Sequence, residues 1–260
     1  MKPEERRRAA LEWLRMPAAP GEPCKVKLCG MSRRADIDAV LAVGPDMCGF
    51  IVDFPKSHRS IPPERVAELC ARMDAAEGEG AGGVPGETPA PGAPDAVMGA
   101  TSIHSATGHP IWRVGVFVDK PAVEVAGIVA RCGLDLVQLH GHEDAAYVEE
   151  LRGELGSGTG IVQAVKVHSA RDVDAACSSE ADMVLLDNGQ GTGESFDWSL
   201  VESVPRPFLL AGGLDSLNVA EAIAQVRPWG VDMSSGIETG GFKDPSKMEA
   251  AVEAARGAAR

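Results

Sequence analysis

Eight short apolar segments, each followed by a segment with helical spacing, constrain the fold of this 260-residue chain more than any other feature. Strands that are nearly all apolar are typical of a parallel sheet covered by helices on both faces. Eight strand–helix units in a chain of this length predict a single (β/α)8 TIM barrel. A doubly wound sheet is the alternative, but it does not need the eighth unit. The predicted strands are 24–29, 48–52, 112–118, 134–139, 161–167, 183–186, 207–210 and 230–233.

Two segments lie outside this alternation. Residues 1–23 are predicted to be an N-terminal extension with a short charged helix, whose arginines we expect to face solvent. Residues 74–110 are predicted to be a low-complexity, Gly/Pro-rich insertion after helix 2, disordered or loosely held. The barrel is therefore expected to cover 24–260, interrupted by 74–110. Because the insertion follows a helix, we expect it at the N-terminal rim of the barrel.

The net charge and the pattern of cysteines limit the partner molecules and the cellular compartment that we expect for this chain. The formal net charge is −13, which argues against nucleic acid or an anionic membrane surface. No segment approaches the length needed to span a membrane. The six cysteines include no CxxC pair and no zinc-type spacing with histidine, so we expect free thiols, a reducing cytoplasm and no metal. The oligomeric state is left open between monomer and homodimer.

Reactive side chains stand where several predicted strands end. Cys29 ends the first strand just before a predicted helix, a position that can lower a thiol pKa, although a structural buried cysteine is the alternative. Asp187 ends the sixth strand, ahead of a glycine-rich loop over 188–193. Arg59, in the loop after the second strand, is suited to clamp a carboxylate or a phosphate. The strand ends of a barrel meet at one rim, so we expect these groups to converge there. The rim is also expected to carry Asp119, Gln138, His140, Gly212 and Ser234.

Two glycine-rich loops follow the seventh and eighth predicted strands, AGGLDSLNV and SSGIETGGFKD. In TIM barrels these two loops commonly bind phosphate through backbone amides and a helix N-terminus. The predicted phosphate site is built from Gly212, Gly213, Ser234, Ser235 and Gly236. Directed N–H groups allow an acidic protein to hold an anion against its overall field. The alternative is that both loops are tight turns without a ligand.

The motifs at the strand ends can be compared as a set. In chain order they are VKLCGM, GFIVDFPKSHRSI, VGVFVD, VQLHGHE, AVKV, LLDNGQGTGESFDW, LLAGGLDSLNV and VDMSSGIETGGFKD. Together they resemble the phosphoribosylanthranilate isomerase family of tryptophan biosynthesis, from about Lys25 to the C-terminus. This resemblance implies an Amadori rearrangement of a small phosphorylated substrate, N-(5-phosphoribosyl)anthranilate. The product would be 1-(2-carboxyphenylamino)-1-deoxyribulose 5-phosphate, and no cofactor is implied.

The resemblance also implies roles for single residues. Cys29 would be the general base and Asp187 the general acid, which must carry a proton near neutral pH. Arg59 would hold the anthranilate carboxylate, the two glycine-rich loops the phosphate, and Asp232 would lie near the ribose hydroxyls. One alternative is the related sugar isomerase of histidine biosynthesis, whose first strand ends in an aspartate where this chain has Cys29. The other is a non-catalytic phosphate-binding barrel, which predicts damaged catalytic positions.

Overall fold

The computed structural model describes residues 1–19, 21–80, 108–187, 198–202 and 204–258. At its centre is a closed barrel in which each strand pairs in parallel with the next along the chain and β8 pairs with β1. The predicted TIM barrel is confirmed, and the doubly wound alternative is wrong. The strands are β1 (Lys25–Cys29), β2 (Met47–Ile51), β3 (Trp112–Phe117), β4 (Leu136–Leu139), β5 (Gly160–Lys166), β6 (Met183–Asp187), β7 (Phe208–Leu210) and β8 (Gly230–Met233).

Helices connect the strands and cover the barrel. They are α1 (Pro3–Arg15), α2 (Arg34–Val43), α3 (Pro63–Gly80), α4 (Ala122–Cys132), α5 (Ala145–Leu155), α6 (Ala170–Cys177), α7 (Val219–Val226) and α8 (Pro245–Gly257). Short 3-10 helices cover Trp198–Leu200 and Ser235–Ile237, and a hairpin of β9 (Glu238–Thr239) and β10 (Phe242–Lys243) follows β8. Within the described ranges, no helix has the length and apolar character needed to cross a membrane.

Alternation along the strands divides the buried residues into two sets. Val26, Leu28 and Phe50 belong to the core between the strands and the surrounding helices. Met47 and Leu185 belong to a second cluster that fills the inside of the barrel. Successive strand residues point to opposite faces, so Lys27 and Cys29 point inward from β1. The inside of the barrel is therefore polar toward the carboxyl end of this strand.

The N-terminal segment closes the other end of the barrel. Trp13 and Leu14 of α1 join the interior cluster, together with Trp112 and Trp229. Arg6 is also buried, and its Nε donates to Oδ1 of Asp135 over 2.9 Å. The expectation that the arginines of this helix face solvent is wrong for Arg6, because buried carboxylates pair with its guanidinium group. The many charged residues of this segment obscured an apolar face of the helix, which packs against this end of the barrel.

Helix α3 is longer than the sequence indicated. It continues to Gly80, so the first residues of the predicted insertion, 74–80, are helical rather than loosely held. Asp74 pairs with the buried guanidinium of Arg113, and Oε2 of Glu77 accepts from Arg6 over 2.8 Å. Most of the predicted insertion, 81–107, lies outside the described residues. The division into extension, barrel and insertion stays a prediction.

We expect Trp13→Ala to lower the free energy of unfolding by about 3 kcal/mol, because it leaves a cavity among packed aromatic rings. The Trp13 ring meets that of Trp229 edge-on, with centroids 4.9 Å apart. Urea unfolding followed by circular dichroism measures the change. Glu12→Ala, at an exposed position of the same helix, is the matched control and should change stability by less than about 0.5 kcal/mol. Equal effects of the two substitutions would show that α1 does not close the barrel.

Candidate active site

The carboxyl ends of the strands surround a cavity of about 300 Å³. All the predicted catalytic and binding residues except Gly236 line it, whereas Asp119, also expected at this rim, lines a separate pocket beside His142. Gly236 lies at the edge, where a Cβ atom would collide with the backbone carbonyl of Leu214. The glycine-rich loop predicted over 188–193 lies outside the described residues. The convergence expected from barrel geometry thus brings together side chains that come from β1, β6, β8 and three loops.

Cys29 is the last residue of β1 and is buried. Burial raises the pKa of its thiol, and this effect outweighs the opposing charge of the Lys27 ammonium. The lowering of the thiol pKa expected from the following helix is therefore wrong, and α2 begins only at Arg34. Nζ of Lys27 lies 2.9 Å from Oδ2 of Asp232 on β8. Burial alone would lower the pKa of Lys27, but Asp232 and Cys29 raise it, so Lys27 is an ammonium ion.

Asp187 is the last residue of β6 and is partly exposed to the cavity. Its Oδ2 lies 3.5 Å from Nε2 of His140, which follows β4. On the other side of the imidazole, Nδ1 lies 3.0 Å from Nε2 of Gln138. Gln138 and His140 thus form a polar pair beside the carboxylate of Asp187.

Arg59 is already engaged by a carboxylate of the protein. Its Nε and Nη2 donate to Oε1 and Oε2 of Glu238, over 2.6 and 2.8 Å. Nζ of Lys243 donates to the same Oε1 over 2.6 Å. Burial acts to raise the pKa of Glu238, but hydrogen bonds from Arg59 and Lys243 lower it to about 2. This bidentate bond uses one edge of the guanidinium and leaves the Nη1 donors for a ligand.

The two loops predicted to bind phosphate lie side by side. Gly212 and Gly213 follow β7 and both adopt positive φ angles, 95° and 67°, which favour glycine. Ser234 directly follows the neighbouring strand β8, and its Oγ donates to the carbonyl of Cys29 over 3.1 Å. Nζ of Lys243 donates to the carbonyl of Ser234 over 2.8 Å, which places a positive charge next to the loop after β8. The arrangement combines backbone turns, hydroxyl groups and one ammonium ion on one side of the cavity.

A larger cleft, of about 860 Å³, lies near the N-terminal end of the strands. It is lined largely by prolines and apolar residues, with Glu202, Arg206 and Arg227 among its charged groups. None of the residues predicted to act in catalysis or binding lines it. We therefore assign the chemistry to the smaller cavity, where acid, base and anion-binding groups meet. Among the residues the structure describes, no cluster of three His, Cys, Asp or Glu side chains is arranged to hold a metal ion.

Comparisons with known proteins agree with this geometry. Residues 96–254 match the family described as N-(5'phosphoribosyl)anthranilate (PRA) isomerase. The chain belongs to this isomerase family. It is 34% identical over 238 residues to the N-(5'-phosphoribosyl)anthranilate isomerase of Desulforudis audaxviator, covering 89% of this chain and 97% of that protein. The chain is thus an isomerase of tryptophan biosynthesis, as its strand-end motifs implied, and the family match favours this reaction over the two alternatives.

Solved structures of this family have the same fold. One is a phosphoribosylanthranilate isomerase in complex with reduced 1-(o-carboxyphenylamino)-1-deoxyribulose 5-phosphate. It is 28% identical, has a TM-score of 0.67, and the match covers 90% of this chain and 99% of that one. Another shows monomers generated from the dimeric isomerase of Thermotoga maritima. Its identity is 28% and its TM-score 0.67, again over 90% of this chain and 99% of the other.

Sequence reasoning left several residues of this isomerase site without a role. Gln138 and His140 were placed at the rim but assigned no chemistry. Lys27 was missed, although its position two residues before Cys29 in a strand puts both on one face. Glu238 and Lys243 lie in the loop expected to bind phosphate, yet no local signal pairs Glu238 with Arg59, which is 179 positions away.

Proposed function

We propose that Cys29 is the general base and Asp187 the general acid of the isomerisation. The observation that carries this proposal is that both side chains line one cavity, although they come from β1 and β6, which are not neighbours in the barrel. General acid–base catalysis needs two groups within reach of one bound substrate. A thiol and a carboxylic acid at this spacing meet that need without a metal or an organic cofactor.

The proposed chemistry uses two proton transfers by side chains of the protein, followed by a tautomerisation. Asp187 protonates the ribose ring oxygen, and the C1–O bond breaks to give an iminium ion. The Cys29 thiolate then removes the proton from C2, which forms an enolamine. The enolamine gains a proton at C1 and loses the proton of the C2 hydroxyl, which gives the ketone product. His140 assists the first step, since its Nε2 lies 3.5 Å from Oδ2 of Asp187, next to the carboxylate that remains.

The two ends of the substrate are assigned to opposite parts of the cavity. Arg59 binds the anthranilate carboxylate through the donors that Glu238 leaves available. The loops of Gly212, Gly213, Ser234, Ser235 and Gly236 hold the phosphate. The relative that binds a reduced product with a carboxylate and a phosphate supports this division.

Asp232 is assigned to bind the ribose, which lies between the carboxylate and the phosphate of the substrate. Its Oδ2 accepts from Lys27, whereas Oδ1 is buried and lacks a hydrogen-bond partner among the described residues. Leaving a buried carboxylate oxygen unpaired is costly, and a ribose hydroxyl that donates to it would remove the cost.

The setting of the enzyme is part of the same proposal. We infer that it acts on a free small molecule in a reducing cytoplasm, not on nucleic acid or a membrane, as a monomer or homodimer. All six cysteines are free in the structure, which supports a reducing compartment. The dimeric relative from Thermotoga maritima supports a homodimer.

Arg59→Met is expected to weaken binding of the reduced product analogue by roughly 100-fold, because the charged partner of the carboxylate is lost. Isothermal titration calorimetry measures the affinity directly, without turnover. Lys56→Met removes an exposed cation from the same loop and serves as the control, with an expected change below about threefold. If Arg59→Met remains folded and binds as tightly as the unmodified protein, the carboxylate is bound elsewhere.

A further inference from the structure

The proposed proton transfers do not use Lys27, which is among the most deeply buried charged groups of the structure. Its side chain is 0% exposed and lies inside the barrel on β1. Nζ donates to Oδ2 of Asp232, and its charge also interacts with the Cys29 side chain. A buried ammonium ion is costly unless it is paired and hydrogen-bonded on more than one side. Packing alone therefore does not explain why this ammonium group also lies beside Cys29.

Gly49 on β2 makes room for this contact. A Cβ atom at Gly49 would lie 2.7 Å from Sγ of Cys29 and 3.1 Å from Nζ of Lys27. Both atoms thus pack against the same point of the backbone, closer than any side chain at position 49 would allow. Asp232 on β8 holds the ammonium from the opposite side. The sulfur and the ammonium are consequently kept together by the two strands that flank β1.

Several charged groups surround Cys29, and they differ in their partners. Lys27 reaches it from β1, Asp232 from β8, Lys243 from β10 and Arg59 from the loop after β2. Lys243 and Arg59 both pair with Glu238. Lys27 is the cation whose Nζ packs with Sγ of Cys29 against Gly49. Any stabilisation of a thiolate by a direct contact in this group must therefore come mainly from Lys27.

We propose that Lys27 is a positioning residue that stabilises Cys29 as a thiolate for proton abstraction, with Asp232 as the counterion that keeps Lys27 charged. The inference rests on the proposed role of Cys29 as the base. In the thiolate state these three groups carry one net negative charge, which complements the iminium ion formed after ring opening. Once Cys29 has taken the C2 proton, Lys27 and Asp232 remain as a neutral pair. The buried site is thus charge-balanced before and after the transfer.

Alkylation of Cys29 by iodoacetamide as a function of pH, without substrate, tests the inference because the thiolate is the reacting form. Mass spectrometry of the Cys29 peptide separates it from the other cysteines, of which all but the half-buried Cys177 are buried. Lys27→Met should slow alkylation at pH 8.5 by about tenfold or more and move the pH profile upward. Asp232→Asn should also slow alkylation, because Lys27 then loses the counterion that keeps it charged.

Lys25→Met is the matched control, since Lys25 is a buried lysine two residues earlier on the same strand and pairs with Glu22. Its alkylation profile should coincide with that of the unmodified protein. A folded Lys27→Met protein with an unchanged profile would overturn the inference. If Lys27→Met does not fold, Asp232→Asn decides, and unchanged or faster alkylation would overturn it. The measurement needs no turnover, so a failure of the proposed base, seen as retained activity in Cys29→Ala, is a separate result.

Discussion

Replacing Asp187 with asparagine is expected to lower kcat by about 10³-fold, because the amide cannot protonate the ribose ring oxygen. Asparagine has nearly the shape of aspartate and keeps a polar group next to Nε2 of His140. We therefore expect KM to change by no more than about threefold, as for an interaction made only in the transition state. Steady-state kinetics with substrate generated in the assay separate the two parameters.

The control for this substitution is Asp174→Asn on α6, because this carboxylate is exposed and lies outside the strand that ends at Asp187. It should leave kcat unchanged. A protein with Asp187→Asn that keeps the fold and more than about a tenth of the original kcat would contradict the assignment of the acid. In that case the ring oxygen is protonated by another group.

Replacing Cys29 with alanine is expected to lower kcat by about 10² to 10⁴-fold, because no group remains to take the C2 proton. The substitution also frees the space beside Lys27, but the pair of Lys27 and Asp232 is retained. The fold should survive, since Cys29 contributes little apolar area. Ring opening by Asp187 is unaffected, so removal of the C2 proton becomes rate-limiting, and substrate deuterated at C2 should show a larger isotope effect than with the unmodified enzyme.

Cys177→Ala, which removes the half-buried thiol of α6, is the control for Cys29→Ala and should have full activity. Thermal unfolding of both variants checks that the barrel is intact. If Cys29→Ala and Cys177→Ala turn over substrate at the same rate, the base lies elsewhere, and Lys27 loses its assigned purpose as well.

The barrel was predictable because each strand can be recognised from its own local sequence. Runs such as Met183–Leu186 are too short and too apolar to be anything but buried strands between turn residues, and eight of them fill the chain. The positions of Cys29 and Asp187 at the rim followed from chain order alone, since parallel strands of a barrel end on one side. Those predictions needed no knowledge of side-chain contacts.

Features that depend on partners distant in the chain were not predictable. Helix α1 was taken for an appendage because its arginines dominate the sequence, whereas Arg6 meets Asp135 and Glu77 only in the folded structure. For Cys29, the predicted helix after the strand suggested a lowered thiol pKa, with a structural buried cysteine as the alternative. Burial inside the barrel has the larger effect, and it is a property of the closed sheet rather than of any local motif.

The ion pair between Arg59 and Glu238 is another feature that depends on a partner distant in the chain and was not predictable. An arginine in a loop near a catalytic rim predicts an anion site, but not that a carboxylate of the protein already uses one edge of its guanidinium. Glu238 consequently fixes the direction in which Arg59 presents its remaining donors. The anion site predicted at Arg59 is thus oriented by a residue that the sequence analysis placed only in the loop predicted to bind phosphate.

The most direct test of this account is a fluorescence assay on the purified protein. Anthranilate and phosphoribosyl pyrophosphate are joined in situ by a transferase, and the decay of the fluorescent phosphoribosylanthranilate is followed. The account predicts a decay that accelerates in proportion to the amount of protein and returns to the spontaneous rate with Asp187→Asn. A folded, monodisperse protein that leaves the spontaneous rate unchanged would contradict it.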